Sequence, residues 1–546
     1  MQKDYGFAEQ LQRGVYFPKK KYCDLQPETF EEVRDSLPEP ILRGRQTWLD
    51  CYWYAVRLAY RHIHTPTEES GFVSNFVDAA FNDDIFLWDT AFITMFCNLF
   101  HPYIPGIRSL DNFYRKQFED GEIPRELVRK TGKDFPLWVN AYRKPLYSYF
   151  HNRYQYRGLK NMKDLPYEGM YKPDLKRKVE KNPYLTLDSL NHPILAWAEW
   201  ESFLQTGDVS RLAMVYESLL HYYNAMKYHI RHANGLYVTD WASMDNSPRN
   251  RYLGCAVDTS CEMVLFARSL IDIVSEFDRH GLASGKQKLQ RKSLETDARE
   301  LADTINRLMW DEKKGFYFDL RQSGEHAPVK TIAAYWALVS GVADEKQAER
   351  LVDWLNDRNA FCRLHRVPVC PADEEGYDPK GGYWRGSVWA PTNMMVIRGL
   401  EKYGYHDLAR KIALNDLDAV CRVFQKTGTI WENYPPDEIS SGNADRRDFV
   451  GWSGIAPILF LMEYAVGLKA DAPNDRVIWD LDVRECGCGC KNYWFGGKTA
   501  DFFAEQKGRA VIVRVATDDS FTLSIRCRGN TYRYTVCGDL TVTLNV

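Results

Sequence analysis

The chain has 546 residues, 45% hydrophobic and 27% charged, a globular balance that argues against extended disorder. Lys+Arg 71 against Asp+Glu 74 leaves a net charge of -3, which supplies no basic field for nucleic-acid phosphates. Mean hydropathy is -0.46, and no uncharged apolar run approaches the ~18 residues that a membrane span needs.

In chain order, the N-terminus MQKDYGFAEQ has no apolar core after its lysine. It does not read as a signal peptide, and a cytoplasmic location is expected, or a periplasmic or secreted one if a leader was removed before this numbering. Thirteen cysteines, an odd number spread from Cys23 to Cys537, fit a reducing compartment better than a disulfide framework. Residues 1–45 carry Pro18, Pro27, Pro38 and Pro40 and little periodicity; they read as an extension packed on the outside of the main body.

From 46 to 469 the pattern is helical. QTWLDCYWYAVRLAYRHI, LWDTAFITMFCNLFHP, HPILAWAEWESFLQTGD, VSRLAMVYESLLHYYNAMKYHIRH and DTSCEMVLFARSLIDIVSEFDRHG repeat apolar residues every three or four positions. LETDARELADTINRLMWD, TIAAYWALVSG, DEKQAERLVDWLND, APTNMMVIRGLEKYG, HDLARKIALNDLDAVCRVFQKTG and DFVGWSGIAPILFLMEYAVG continue it. Asp208 and Asp344 stand at N-cap positions, and Gly341, Gly404 and Gly428 where helices should stop. About a dozen helices in antiparallel succession, without an exact sequence repeat, predict an (α/α)6 barrel, a toroid, rather than a solenoid.

After 470 the period changes. RVIWDLDV, RAVIVRVAT, FTLSIRCRG, TYRYTVCG and LTVTLNV alternate apolar and polar residues, and Gly529-Asn530 signals a hairpin. A small antiparallel β domain over 470–546 is expected. Cys486, Cys488 and Cys490 in ECGCGC lack the C-x-x-C spacing or nearby histidine of a zinc site and read as a glycine-rich turn. No metal and no cofactor are expected.

Four loops interrupt the helices with aromatic and charged residues. FNDDIFLWDTAF opens a helix on Trp88 and Asp89, where an aspartate also suits the helix dipole. YVTDWASMDNSPRNR holds Trp241, Asp245 and Arg249, and its Asp-Asn-Ser-Pro run is also an ordinary turn former. GGYWRGSVWAPTN places Trp384 and Arg385 ahead of a helix, and TIWENYPPD sets Glu432 between Trp431 and Tyr434. Sixteen Trp, 33 Tyr and 27 Phe make 14% of the chain; such rings stack on the apolar faces of sugars or serve helix packing. Two carboxylates beside tryptophan, Asp245 and Glu432, are the residue types that cleave a glycosidic bond, one protonated and one ionised. A carboxyl packed against indole holds its proton, as a general acid must.

GEIPRE (121–126), NHPILA (191–196), DWASMDNSPR (240–249), GGYWRGSVW (381–389), WENYPP (431–436) and DFVGWSG (448–454) together resemble the inverting α-glycosidases of glycoside hydrolase family 63, the family 37 trehalases and the mannosylglycerate-hydrolase-like enzymes. The resemblance covers roughly residues 70–468. It implies Asp245 as general acid and Glu432 as general base of a single-displacement hydrolysis of an α-linked glucoside or related small α-glycoside. It further matches Trp88 and Asp89 to a pair that lines the glycone pocket, and Trp384, Arg385 and Trp452 to residues of the family's motifs; Trp241 and Arg249 join these as candidate substrate-binding residues by their place in the Asp245 loop. The chain departs from family 63 in starting its barrel almost at once, without an N-terminal β-sandwich, and in carrying Ser387 where proline is frequent. The signature loops and glycine-rich lid of trehalases are not found. These departures leave the sugar and its linkage open.

Two other classes share the fold. A sugar epimerase would need histidines as acid and base on barrel loops; His192, in NHPILA, is the one histidine inside a motif, while His221, His229 and His406 sit in helical contexts. A glycan binder without turnover would not need both carboxylates, and both are present.

Overall fold

The computed structural model describes residues 16–17, 20–117, 121–132, 192–237, 244–252, 254–321, 323–443, 445–482 and 487–545. Beyond a short turn of helix at Phe30–Val33, its helices are α1 Gln46–Arg61, α2 Leu87–Cys97, α3 Asp111–Arg115, α4 Leu195–Thr206, α5 Val209–Ile230, α6 Val257–Arg279, α7 Gly285–Met309, α8 Trp336–Val339, α9 Glu345–Asn356, α10 Ala390–Lys402, α11 His406–Thr427 and α12 Ile455–Val466.

Local chemistry sets their ends. The Asp208 side chain accepts from the Arg211 N–H at the start of α5, and Asp344 with Gln347 forms a capping box at the start of α9. Ser284 and Gln287 form another, so α7 begins well before Leu294, where its apolar periodicity becomes regular. Gly428, at φ 70°, ends α11 in the left-handed conformation that glycine adopts without penalty.

The helices fall into two kinds. In α7 the buried residues Leu294, Ala298, Leu301, Ala302, Ile305 and Met309 form one stripe, as in a helix with one face to solvent. In α2 and α12 nearly every residue is buried, Glu463 being the half-buried exception in α12. Such helices must be covered on all sides. The contacts follow: α2 packs on α4, α4 on α6, α6 on α8, α8 on α10, α10 on α12, and α12 on α2. The stripe-faced helices lie against these, α7 and α5 on α6, α11 on α10 and α12, and α1 on α11 and α12.

Beyond α12, Gly467 turns the chain at φ 93°, where a Cβ would meet the Asp480 carbonyl oxygen at 2.1 Å. The strands are β1 Glu39–Leu42, β2 Leu468–Asp471, β3 Arg476–Leu481, β4 Cys488–Phe495, β5 Lys498–Lys507, β6 Ala510–Ala516, β7 Ser520–Cys527, β8 Asn530–Cys537 and β9 Leu540–Asn545. They form a five-stranded sheet, β1-β4-β5-β6-β9, and a four-stranded sheet, β8-β7-β3-β2. All pairs are antiparallel except β7 with β3. The strand β1 comes from the proline-containing N-terminal stretch and pairs Glu39 with Lys491 through Leu42 with Cys488.

Two expectations need correction. Cys488 and Cys490 are not in a turn: β4 starts at Cys488, and both cysteines are buried on the same face of the five-stranded sheet, against β5. The turn is Gly487, at φ 83°. The hairpin between β7 and β8 turns on Arg528-Gly529 rather than Gly529-Asn530, because Cys527 already pairs with Asn530; both turn residues have positive φ, the pattern of a two-residue type I′ hairpin.

Candidate active site

Four loops carry the candidate residues. Asp84–Phe86 pairs with Glu126–Val128, and Leu87 N–H donates to the Arg125 carbonyl at 2.8 Å, which fixes the first turn of α2 with Trp88 and Asp89. Both side chains are half-buried. Burial raises the Asp89 carboxyl to about 7; nearby Arg125 opposes the rise and nearby Asp245 adds to it.

Asp245 lies in a turn and is half-buried. The turn is closed from within by Asn250 Nδ2, which donates to the carbonyls of Met244 at 2.8 Å and Asp245 at 3.1 Å. Below it Arg249, 1% exposed, is gripped by two carboxylates. Its Nε and Nη2 donate to Asp319 at 2.7 and 2.6 Å, and Nη1 and Nη2 donate to Asp258 in the first turn of α6.

In the third loop Gly381, Gly382 and Tyr383 have φ of 97°, 55° and 64° in succession. The turn stacks Trp384 on Trp389 at 4.2 Å and 9° and brings Tyr383 Oη to donate to Glu432 Oε1 at 3.2 Å. Val388 and Tyr434 exchange backbone hydrogen bonds of 2.7 and 3.1 Å, which joins this loop to the fourth.

Glu432 is 2% exposed. Its N–H donates to the Arg446 carbonyl at 2.9 Å, and its own carbonyl accepts from Trp452 Nε1 at 3.0 Å and Ser453 Oγ at 3.2 Å. Burial, and then the Asp445 charge, push its carboxyl up to about 8, while Arg446 and the Tyr383 hydroxyl pull it down; Asp89 contributes a further rise. Asp445, itself raised by burial to about 6, accepts from the N–H groups of Asn433 at 3.2 Å and Gly442 at 2.8 Å. Trp452 meets Trp88 edge-on at 5.8 Å and Trp389 at 5.5 Å. The indole N–H groups of Trp88 and Trp389 are buried without an acceptor among the described residues.

The structure therefore brings Trp88, Asp89, Asp245, Trp384, Glu432 and Trp452 to neighbouring loops. Arg249 does not join them, because its guanidinium is taken up by Asp258 and Asp319 beneath the loop. Arg385 is exposed, its Nε donating to the Gly376 carbonyl at 3.1 Å. Trp241 lies outside the described residues. Tyr383 and Trp389 lie within the sequence motif but carried no signal of their own beyond being aromatic, and Asp445 sits in a polar stretch with none. His192 is buried, with Nδ1 against Glu262 and its ring 6.4 Å from Trp88. Burial would lower its pKa, but the Glu262 carboxylate overrides that and raises it.

Among the described residues, one grouping has the spacing of metal ligands: His62, His64 and Asp78, within 4.8 Å of one another. The Arg129 guanidinium donates to Asp78 there and stands 3.3 Å from His64 Nε2. That carboxylate is already matched by a cation, so the donor set suits a divalent ion poorly.

Residues 88–453 match the mannosylglycerate hydrolase MGH1-like glycoside hydrolase domain. The mannosylglycerate hydrolase of Rubrobacter radiotolerans is 30% identical over 165 residues, 30% of this chain and 35% of that protein. The chain spans less than two thirds of the length of the curated relatives it matches. Among solved structures, a GH63 mannosylglycerate hydrolase from Thermus thermophilus superposes with a TM-score of 0.54 at 18% identity, over 75% of this chain and 99% of that one. An α-L-rhamnosidase from Dictyoglumus thermophilum superposes with a TM-score of 0.54 at 10% identity, over 92% of this chain and 50% of that one, a likeness of fold that takes in part of the β domain.

Proposed function

The chain belongs to the mannosylglycerate hydrolase MGH1-like glycoside hydrolase family, and from that premise we propose that it cleaves an α-linked glucoside or related small α-glycoside by single displacement. Asp245 protonates the departing oxygen and Glu432 activates a water on the opposite face of the sugar. The observation that carries the reading is electrostatic: Asp89 feels the charge of Asp245 and Glu432 feels that of Asp89, so carboxyls from three separate loops lie within reach of one another's charge. Trp88, Trp384 and Trp452 supply rings for the sugar, and the unpartnered Trp88 N–H is a donor for a hydroxyl. The reaction needs two carboxyls and a water, without metal or cofactor.

The setting for this site is an (α/α)6 toroid. The cycle of contacts α2, α4, α6, α8, α10, α12 and back to α2, with the stripe-faced helices outside, supports it, as do the solved neighbours. An N-terminal extension (1–45), a catalytic barrel (46–469) and a C-terminal β domain (470–546) remain the proposed division.

Asp245→Asn and Glu432→Gln each preserve size and delete only a proton transfer, so each is expected to lower turnover by ~10²–10⁴-fold with the fold intact. A screen of trehalose, kojibiose, nigerose, mannosylglycerate and simple α-glycosides finds the substrate. Proton NMR in the first minutes of hydrolysis should then show the β-anomer; α-anomer appearing first would overturn single displacement. A second assignment, Glu432 as acid and Asp245 as base, draws on one observation, the rise of the Glu432 carboxyl to about 8. Leaving-group dependence separates the two, since only loss of the acid is relieved by a leaving group that needs no proton.

A further inference from the structure

Asn246 directly follows Asp245, and its side chain leaves its own loop. Nδ2 donates to the Gly382 carbonyl at 3.0 Å, and Oδ1 accepts from the Trp384 N–H at 2.8 Å. One carboxamide thus grips the peptide groups on either side of Tyr383. Tyr383 is held at φ 64°, a conformation unfavourable for a ring-bearing side chain, and its hydroxyl is the one that donates to Glu432. A second seam backs the first: Gly376 lies so close under Pro248 that a Cβ there would meet Pro248 Cγ at 2.1 Å.

From Asp245 to Glu432 the path is short: one peptide bond, the Asn246 carboxamide, the Tyr383 turn and the phenol. We infer that Asn246 is a positioning residue, which fixes the separation and orientation of Asp245 and Glu432 by tying the Asp245 loop to the Tyr383 turn. This rests on the acid role proposed for Asp245. Asn246 is exposed, so its two bonds add little to global stability. What they govern is geometry, and a displacement of ~1 Å at a reacting group costs on the order of 10²-fold in rate.

The test compares wild type, Asn246→Ala, Asn246→Asp and Asp245→Asn on two substrates. One is an O-linked α-glycoside that the wild type cleaves; the other is the α-fluoride of the same sugar, whose leaving group departs without a proton from the enzyme. Alanine removes both bonds. Aspartate keeps an acceptor for the Trp384 N–H but sets an oxygen against the Gly382 carbonyl. Both Asn246 variants are expected to keep the wild-type melting temperature and KM and to lose on the order of 10²-fold in kcat on the O-glycoside. Their loss on the fluoride should be about tenfold smaller. A folded Asn246 variant that falls by the same factor on both substrates overturns the inference, as do two variants with wild-type kcat on the O-glycoside. Asp245→Asn losing its rate equally on both substrates overturns instead the acid assignment beneath it, so the two failures are told apart.

Discussion

Glu432 sits under two opposing influences, burial and the Asp445 charge raising its pKa, Arg446 and the Tyr383 hydroxyl lowering it. As a base it must be ionised, so its pKa of about 8 predicts that kcat/KM climbs as pH rises toward that value, above the ordinary glutamate range. Asp445→Asn removes a negative neighbour, favours the ionised form and should carry this acidic limb to lower pH. Arg446→Met removes a positive neighbour and should carry it higher. The pH profiles of the three proteins on one substrate decide it. An acidic limb unmoved by both changes would remove Glu432 from the role of base, and movement of the alkaline limb instead would make it the acid. As candidates, Asp245 and Glu432 were legible, each beside tryptophan in a loop with a specific motif. Asp445 was not, because thirteen positions separate it from Glu432 only along the chain, and closeness across a folded-back loop leaves no periodic trace.

The Asp245 loop holds its shape through Arg249, whose partners are the first turn of α6 and Asp319, 70 residues away. Arg249→Met would leave Asp258 and Asp319 buried without their cation, a change worth about 3–5 kcal/mol. A clear fall in melting temperature is expected, with kcat per folded molecule falling less; a wild-type melting temperature would show that the pair does not need its arginine. In sequence Arg249 read as facing substrate, since adjacency to Asp245 was the only cue and nothing local marks Asp319 as its partner. The longer helices were legible for the opposite reason, their caps and apolar stripes being local. Of the β-domain strands without a period of their own in the sequence, β1, β4 and β5 exist through pairing with one another and β2 through pairing with β3. EPIL is four residues with a proline, and CGCKNYWF begins with alternating glycine and cysteine, so neither declares a strand until its neighbour is in place.

At the scale of the whole molecule, the helical body and the β domain share one buried core, which runs from Phe460 and Met462 of α12 to Trp479 and Phe502 of the two sheets. The seam is bonded as well as packed. Trp479 Nε1 donates to the Val466 carbonyl at 2.9 Å, Gln205 Nε2 donates to the Trp494 carbonyl, and the Gly496 N–H donates to the Gln205 carbonyl at 2.9 Å. The β1 strand arrives from the other end of the chain to pair with β4. A chain ended after Lys469 therefore does more than lose an appendage: it cuts through β2, uncovers the end of α12 and strands β1 without its partner. Each large apolar side chain returned to water costs roughly 1.5–3 kcal/mol, and a handful of them exceeds the ~5–15 kcal/mol by which a domain is stable. The truncated protein should be recovered as aggregate, or melt far below the full chain, and the unpaired β1 edge gives the aggregate a place to grow. The proposed glycosidase activity should be lost with the fold, since α12 follows directly on the Trp452 turn that fixes Glu432. A soluble 1–469 chain with the melting temperature and turnover of the full protein would show instead that the barrel stands by itself.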